Sequence, residues 1–234
     1  MIAAKALLFD VFGTLVDFRT SIAREAAEML RPLGYALDWG AFADAWRGEY
    51  QGALEEVRAG RAPYCKLDVL HRRNLQAALD HFNVGPLSEE QMDEFNLAWH
   101  RLDAWPDVPS ALGRLKRRHI LAPLSNGSIA MMIDIARHNN FPWDAILGAD
   151  IARDFKPKPR VYLAAAEALE IDPPDCMLVA AHSYDLKAAQ ALGFRTAHVA
   201  RPNEHGPGRG EAAPTVPVDI AVNDLGELAH TLKT

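Results

Sequence analysis

The first residues in the chain that could carry out chemistry are a carboxylate and a hydroxyl that follow an apolar segment. Asp10 comes directly after the apolar residues 7–9, and Gly13 and Thr14 follow it. In an open α/β sheet, ligands bind at the carboxyl ends of the strands, where Asp10 would lie. There the carboxylate could act as a covalent nucleophile. Asp and Gly also favour turns, so the local pattern leaves a simple turn residue as an equal alternative.

Three further polar segments follow apolar segments of strand length later in the chain. They contribute the hydroxyl of Ser125, the amide of Asn126, the ammonium group of Lys156 and the carboxylate of Asp185. In a parallel sheet such loops meet at one edge, so we expect these groups to converge on Asp10. Ser and Asn are also preferred helix N-caps, and lysines are usually exposed. The residue pattern alone leaves both alternatives open.

The elements that would position these groups alternate between strand and helix in the second half of the chain. After the first strand, apolar segments predict strands near residues 119–124, 145–148, 177–180, 195–199 and 218–222. Four successive helical patterns separate the first two strands, at about 20–34, 39–58, 65–83 and 88–101. Helices without intervening strands do not fit an alternating chain. We therefore predict a core formed by 1–16 and 102–234, with a helical cap inserted at 17–101.

Composition restricts the classes of function that are open to the chain. The 234 residues carry a net charge of -6, which gives no basic surface for nucleic acid or anionic membrane. With only Cys65 and Cys176, neither a disulfide framework nor a thiolate metal cluster is expected, and both cysteines are predicted to be buried and reduced in a cytoplasm. No signal peptide and no apolar run of about 18 residues is present. The Gly- and Pro-rich residues 201–217 are predicted to form a surface loop.

Four segments of the chain resemble the motifs of the haloacid dehalogenase superfamily. The spacing Asp-x-x-x-Thr-Leu from Asp10, the segment Leu-Ser-Asn-Gly-Ser around Ser125, and Lys156 followed by Tyr162 match the first three motifs. The resemblance implies a Rossmann-like core in which Asp10 attacks the substrate. It also implies that Ser125 holds a substrate carboxylate, Asn126 helps to cradle a leaving halide, Lys156 orients Asp10, and Tyr162 lends a hydroxyl. The adjacent cation is expected to keep the pKa of Asp10 low.

The departures from the phosphatases of this superfamily indicate its dehalogenating branch. Phosphatases carry a second aspartate where this chain has Phe12, and a magnesium ligand where it has Ala181. A hard cation needs several oxygen ligands, so we predict neither a metal site nor another cofactor. By the resemblance, Asp185 pairs with Lys156 and orients the hydrolytic water. His182 stands where several members have asparagine, and is either a second proton carrier or a polar wall residue.

The predicted cap is expected to close the pocket and to receive the leaving group. The pair Trp46-Arg47 resembles the dehalogenase segment whose arginine binds the halide, and a fixed guanidinium would stabilise the developing charge. Arginines on helices usually face water, which is the alternative for Arg47. Phe12, Trp46 and Tyr184 are predicted to form an apolar wall. Substrate binding is also assigned to Val11 and to the backbone amides of 12–14, beside Asp10 and Thr14.

These observations predict an (S)-2-haloacid dehalogenase that converts short 2-haloalkanoic acids to 2-hydroxy acids through an aspartyl ester. The expected partners are the small-molecule substrate and the halide product, with neither nucleic acid nor membrane, in a cytoplasmic protein that forms a homodimer through exposed cap helices. The alternatives are a magnesium-dependent phosphatase of the same superfamily and a non-catalytic binder of small carboxylates. Halogen preference depends on pocket dimensions that the sequence leaves open.

Overall fold

The computed structural model describes residues 4–234 of the chain. Its sheet consists of β1 (Ala6–Phe9), β2 (Ile120–Ser125), β3 (Leu147–Gly148), β4 (Cys176–Ala180), β5 (Arg195–Val199) and β6 (Ile220–Val222). All neighbouring strands are parallel, in the order β3-β2-β1-β4-β5-β6. This arrangement confirms the predicted α/β class with a parallel sheet.

Strand β1 lies in the middle of the sheet and therefore determines where Asp10 emerges. Leu8 lies opposite Ala122 of β2 on one side and Leu178 of β4 on the other. All four side chains of β1 are buried, because both faces of the sheet are covered. This explains why the sequence shows a continuous apolar run instead of alternation. The chain order reverses at β1, which is where open α/β sheets bind ligands.

Eleven α-helices occur in the described part of the chain. Six lie between β1 and β2, namely α1 (Phe18–Leu30), α2 (Trp39–Gly48), α3 (Tyr50–Arg58), α4 (Leu67–His81), α5 (Glu89–Asn96) and α6 (Val108–Leu115). The others are α7 (Ile129–Asn139), α8 (Ala149–Ala152), α9 (Pro159–Ala168), α10 (Ser183–Gln190) and α11 (Leu225–Thr231). We call α1–α5 and the 3₁₀ turn Leu97–His100 the cap helices.

Hydrogen bonds connect the cap helices, and the loop between α3 and α4, to residues that follow β2 and β3. The Asn126 amide donates to the Tyr50 hydroxyl (2.9 Å), and the Arg58 guanidinium donates to the carbonyl of Lys156 (2.8 Å). The Tyr64 hydroxyl donates to Asp150 (2.8 Å). These contacts hold the cap helices against the segments that leave the carboxyl ends of β2 and β3.

The structure differs from the predicted elements at several boundaries. The predicted helix 39–58 is two helices, because the chain turns at Gly48 and Glu49, and the short helix α8 was not predicted. Residues 201–217 form an irregular loop, but it is not confined to the surface, since Glu204 is only 2% exposed. Cys65 is half-buried, so only Cys176 is buried as expected, and both are free thiols. Among residues 4–234, no helix has the length and apolar character needed to cross a membrane.

Candidate active site

Asp10 is buried at the carboxyl end of β1 and held by three side chains. Its Oδ1 atom accepts a hydrogen bond from Lys156 Nζ (2.7 Å), and Oδ2 accepts from Thr14 Oγ1 (2.7 Å). The Thr14 hydroxyl in turn accepts from the backbone N–H of Ala181 (2.9 Å), which ties the turn after β1 to the loop after β4. Burial would raise the pKa of Asp10, but Lys156 and His182 outweigh it and hold this pKa well below its usual range. Asp10 is therefore an anion, as an attacking carboxylate must be.

Lys156 is the cation shared by two carboxylates. Its ammonium group lies 2.7 Å from Asp10 and 2.5 Å from Asp185, and the residue is 3% exposed. Its backbone N–H donates to Asn126 (2.8 Å). Burial acts to lower the pKa of Lys156, yet the two carboxylates raise it above its ordinary value. The structure thus brings Lys156 to Asp10 instead of leaving it in solvent.

Asp185 and Tyr162 complete the buried side of this ion pair. The Tyr162 hydroxyl donates to Asp185 Oδ1 (2.5 Å), while Lys156 donates to Oδ2. Both residues are fully buried. Burial raises the pKa of Asp185, against the effect of Lys156. A carboxylate with raised pKa is a stronger base, which suits a group that would take a proton from water.

His182 lies between two carboxylates, one of which the sequence did not indicate. Its Nδ1 atom is 3.0 Å from Asp10 Oδ2, and its Nε2 atom is 2.9 Å from Glu204 Oε1. Burial would lower the pKa of His182, but the hydrogen bonds to Asp10 and Glu204 raise it to about 10. His182 is therefore an imidazolium at neutral pH, with both ring nitrogens donating.

Glu204 also explains the glycine in the turn after β1. Gly13 has a φ of +81°, and a Cβ atom built there would lie 2.0 Å from Glu204 Oε1. A side chain at position 13 would therefore collide with the carboxylate and be strained in its backbone. No local pattern pointed to Glu204, because it lies in an irregular Gly- and Pro-rich loop and reaches the site only through folding. We call Asp10, Thr14, Lys156, Tyr162, Asp185, His182 and Glu204 the carboxylate network.

Ser125 and Asn126 follow β2 and are both buried beside the network. The Asn126 side chain is engaged at both ends, since its oxygen accepts from Lys156 N and its amide donates to Tyr50. Ser125 Oγ accepts from the backbone N–H of Gly127 (3.1 Å), which leaves its own hydrogen for a ligand. The Asn126 side chain therefore connects α3 of the cap helices to the backbone of Lys156.

Two of the predicted anion-binding amides already have partners within the chain. The sequence places Ser125 and Asn126 just ahead of a helix, and because a helix amino terminus favours an anion, a substrate anion is the expected ligand there. Instead the carboxylate of Asp150 accepts from Ile129 N (2.9 Å), and Ser128 is the N-cap of α7. The amide of Gly13 donates to the carbonyl of Val16 (3.1 Å). These two amides are corrected from ligand-binding to structural groups.

The guanidinium of Arg47 is enclosed by aromatic rings below an open cavity. Its Cζ atom lies 3.8 Å from the ring centre of Tyr50, 4.9 Å from Phe18 and 5.6 Å from Phe12. The cavity has a volume of about 390 Å³, and its walls include Arg47, Tyr50, His182 and Tyr184. A space of this size suits a small acid. The predicted arginine thus faces the site instead of solvent.

The predicted apolar wall is only partly formed by the residues assigned to it. Phe12 is buried beneath Arg47, and Tyr184 stacks on His182 with ring centres 5.6 Å apart at the exposed rim. Trp46 instead packs in the core of the cap helices, where its indole N–H donates to the carbonyl of His71 (2.9 Å). Trp46 precedes Arg47 directly on α2, and its side chain therefore points away from the cavity that Arg47 lines. The side chain of Val11 is likewise in the hydrophobic core.

The donor set around Asp10 does not fit a magnesium ion. Phe12 and Ala181 provide no oxygen, and the ammonium group of Lys156 already stands between Asp10 and Asp185. Hard cations need six or more oxygen ligands. Within residues 4–234, no group of three or more His, Cys, Asp or Glu side chains is arranged to hold a metal.

Comparisons with known proteins agree with this geometry. A family model described as haloacid dehalogenase-like hydrolase matches residues 4–193. The (S)-2-haloacid dehalogenase 1 of Pseudomonas sp. (strain CBS-3) is 30% identical over 206 residues, which cover 86% of each chain. A solved defluorinating L-2-haloacid dehalogenase superposes with a TM-score of 0.96 at 41% identity, covering 99% of this chain and 96% of the other.

A further solved structure shows a relative with a covalent adduct. It is the L-2-haloacid dehalogenase of Xanthobacter autotrophicus with chloropropionic acid covalently bound. The TM-score is 0.82 at 25% identity, and the match covers 98% of each chain. With a matching family model, related sequences and a shared fold, this chain belongs to the haloacid dehalogenase-like hydrolase family.

Proposed function

We propose that the protein is an (S)-2-haloacid dehalogenase that hydrolyses short 2-haloalkanoic acids through an ester on Asp10. The observation that carries the proposal is the buried ammonium of Lys156, in contact with both Asp10 and Asp185. This ammonium group compensates the charge of both carboxylates and holds the attacking one in place. The names of the relatives and the covalent chloropropionic acid complex support the same activity.

In the first step, Asp10 displaces halide from C2 of the substrate. A new C–O bond forms as the carbon–halogen bond breaks, and the halide leaves with the bonding electrons. Ser125 would hold the substrate carboxylate, since its hydroxyl hydrogen is free to donate. Arg47 would receive the halide, because a fixed guanidinium stabilises the charged leaving group more than the neutral carbon–halogen bond.

In the second step, water attacks the ester carbonyl and releases the 2-hydroxy acid. Asp185 would orient this water and accept its proton. Ester formation also removes the negative charge of Asp10, which is one of the two partners that raise the pKa of His182. The imidazolium then becomes a stronger acid and can give its proton to the departing alkoxide oxygen, which leaves as the hydroxyl of the 2-hydroxy acid. One water oxygen remains in the Asp10 carboxylate.

The proposal assigns residues 17–101 to a cap that closes over the core formed by 1–16 and 102–234. It also includes a cytoplasmic location and a homodimer. Val69 and Leu97 on the cap helices are 58% and 40% exposed, which supports a contact between caps. Light scattering after gel filtration should give twice the monomer mass, and a monomer at micromolar concentration would remove the dimer from the proposal.

Two experiments test the chemistry. Halide release from 2-chloropropionate should continue in excess EDTA, whereas a magnesium-dependent phosphatase would instead hydrolyse p-nitrophenyl phosphate and stop in EDTA. A single turnover in H₂¹⁸O should place the label in Asp10, as mass spectrometry of the peptide would show. Folded enzyme with turnover but with unlabelled Asp10 would exclude the ester.

A further inference from the structure

Four buried N–H-bearing groups on the cap helices have neither a hydrogen-bond acceptor nor an ion pair at that atom among the described residues. They are Arg47 Nη1, the His71 ring, Asn74 Nδ2 and Trp99 Nε1, which we call the donor cluster. Both ring nitrogens of His71 are without a partner, so its N–H is unpaired in either tautomer. A buried polar group left without a partner costs about 1–3 kcal/mol. Several such groups in one part of the cap therefore indicate an acceptor that arrives as a ligand.

His71 and Arg47 share three aromatic neighbours. The His71 ring stacks on Trp99 with centres 4.1 Å apart, and lies 6.1 Å from Tyr50 and 6.3 Å from Phe12. Arg47 Cζ lies 5.8, 3.8 and 5.6 Å from the same three ring centres. The two groups therefore pack against the same three rings, and the charge of Arg47 is close enough to act on the His71 ring.

Two of the shared rings belong to residues that lie next to the surroundings of the nucleophile. Phe12 follows Asp10 by two residues, and Tyr50 accepts a hydrogen bond from Asn126, which in turn holds the backbone of Lys156. Burial, together with the charge of Arg47, lowers the pKa of His71 well below its usual value. His71 is therefore a neutral ring with one N–H, placed beside a permanent cation. That combination suits a small anion that needs more than one donor.

We propose that His71 is a second donor to the leaving halide, beside Arg47, and that this pair is the feature on which cleavage of fluorinated substrates depends most. The inference rests on the proposed function. As the bond between Asp10 and C2 forms, the halide takes the bonding pair and accepts hydrogen bonds from Arg47 and His71. No proton is transferred, so His71 stays neutral throughout the step.

Fluoride should depend on this pair more than the larger halides do. It is the smallest halide, so its charge is the most concentrated and its hydrogen bonds are the strongest. The carbon–fluorine bond is also the hardest to break, so its transition state gains most from each donor. Removing one positioned donor from such a site costs about 10²–10³-fold in rate.

His71→Phe tests the inference, because it removes the N–H while keeping a ring that can stack on Trp99. We expect kcat for 2-fluoropropionate to fall on the order of 10²-fold, and kcat for 2-bromopropionate to fall less than about tenfold. His71→Asn restores an N–H donor and should recover part of the fluoride activity. The matched control is His119→Phe, since His119 also has an unpaired Nε2 but lies beside the amino end of β2. An equal loss for both halogens would overturn the inference.

Bromide soaked into crystals of the unaltered enzyme tests the pair without relying on turnover or on a variant. Anomalous density beside both Arg47 and His71 supports the inference, and density elsewhere or none overturns it. Failure of the proposed function is recognised separately, since the unaltered enzyme would then release no halide from any 2-halopropionate.

Discussion

The two sides of the pocket differ in how completely their polar groups are paired. On the sheet side, Asp10, Lys156 and Asp185 are linked by hydrogen bonds of 2.5–2.7 Å, and Glu204 closes the network through His182. On the cap side, the donor cluster is just as buried but has no acceptors among the described residues. The carboxylate network is complete without substrate, whereas the cap side has unpaired donors.

This difference separates the two tasks that displacement of a halide requires. A nucleophile must be held and charged before substrate arrives, and buried charges persist only when they are paired. A leaving-group site must instead bind a charge that appears only during the reaction. Donors that are unpaired in the free protein favour the transition state over the neutral substrate. Each prediction below removes one group from one of the two sides.

The largest effect is expected from Asp10→Asn. Loss of the attacking carboxylate should lower kcat for 2-chloropropionate by a factor on the order of 10⁴ or more, as measured by halide release. The amide keeps the size of the side chain, so the fold should persist by circular dichroism. Retained turnover would contradict the assignment of Asp10 as nucleophile, whereas a non-catalytic carboxylate binder would show no turnover even in the unaltered protein.

Lys156→Met should reduce both activity and stability. It leaves Asp10 and Asp185 buried without their cation, a loss that typically costs about 3–5 kcal/mol in the free energy of unfolding. Urea denaturation measures this change, and halide release should fall by about 10³-fold because the position and charge of Asp10 are lost. Lys116→Met is the control, since Lys116 pairs with Asp144 near the surface. Equal effects of both variants would contradict the central role given to the buried pair.

Arg47→Lys should separate charge from geometry on the cap side. Lysine keeps the positive charge but loses the planar guanidinium that faces the ring of Tyr50. We expect kcat to fall about 10²-fold with little change in the unfolding midpoint. Arg72→Lys, at an exposed pair with Glu89, should leave kcat unchanged. A changed KM with unchanged kcat would mean that Arg47 binds the substrate carboxylate instead of the leaving halide.

The smallest effect is expected from Glu204→Gln, which should lower the pKa of His182 from its value of about 10. Because this pKa is raised in the folded state, its contribution to stability is complete below the unfolded value of about 6.5 and is lost as the pH rises through about 10. The variant should therefore lose thermal stability near pH 6 to 7 and match the unaltered protein above pH 10. Nitrogen NMR of the His182 ring would report the shift directly, and an unchanged titration would contradict the pairing.

Several features of the site were accessible from the sequence because they depend on local order along the chain. Asp10 follows an apolar segment, and Lys156 and Asp185 follow later ones, so parallel pairing was sufficient to bring them to one edge. Trp46 and Arg47 show what the order of residues could not predict, because both were expected to line the pocket and only Arg47 does so. They are neighbours on α2, yet one points into the cap and the other into the site, because successive positions on a helix face different directions.

The sequence by itself determined the parallel sheet and the polar loops that follow its strands. It also determined that Phe12 and Ala181 stand where phosphatases have magnesium-binding carboxylates. Apolar segments and motif spacing are local properties of the chain, so both could be recognised without a structure. Only the tertiary structure decided that Glu204 reaches His182 from an irregular loop, and that Asp150 occupies the amino terminus of α7. It also decided that His71 packs against the same aromatic rings as Arg47. These contacts join residues that are 20 or more positions apart in the chain. They depend on how the helices and loops pack together, and the periodicity of the sequence carries no information about that packing.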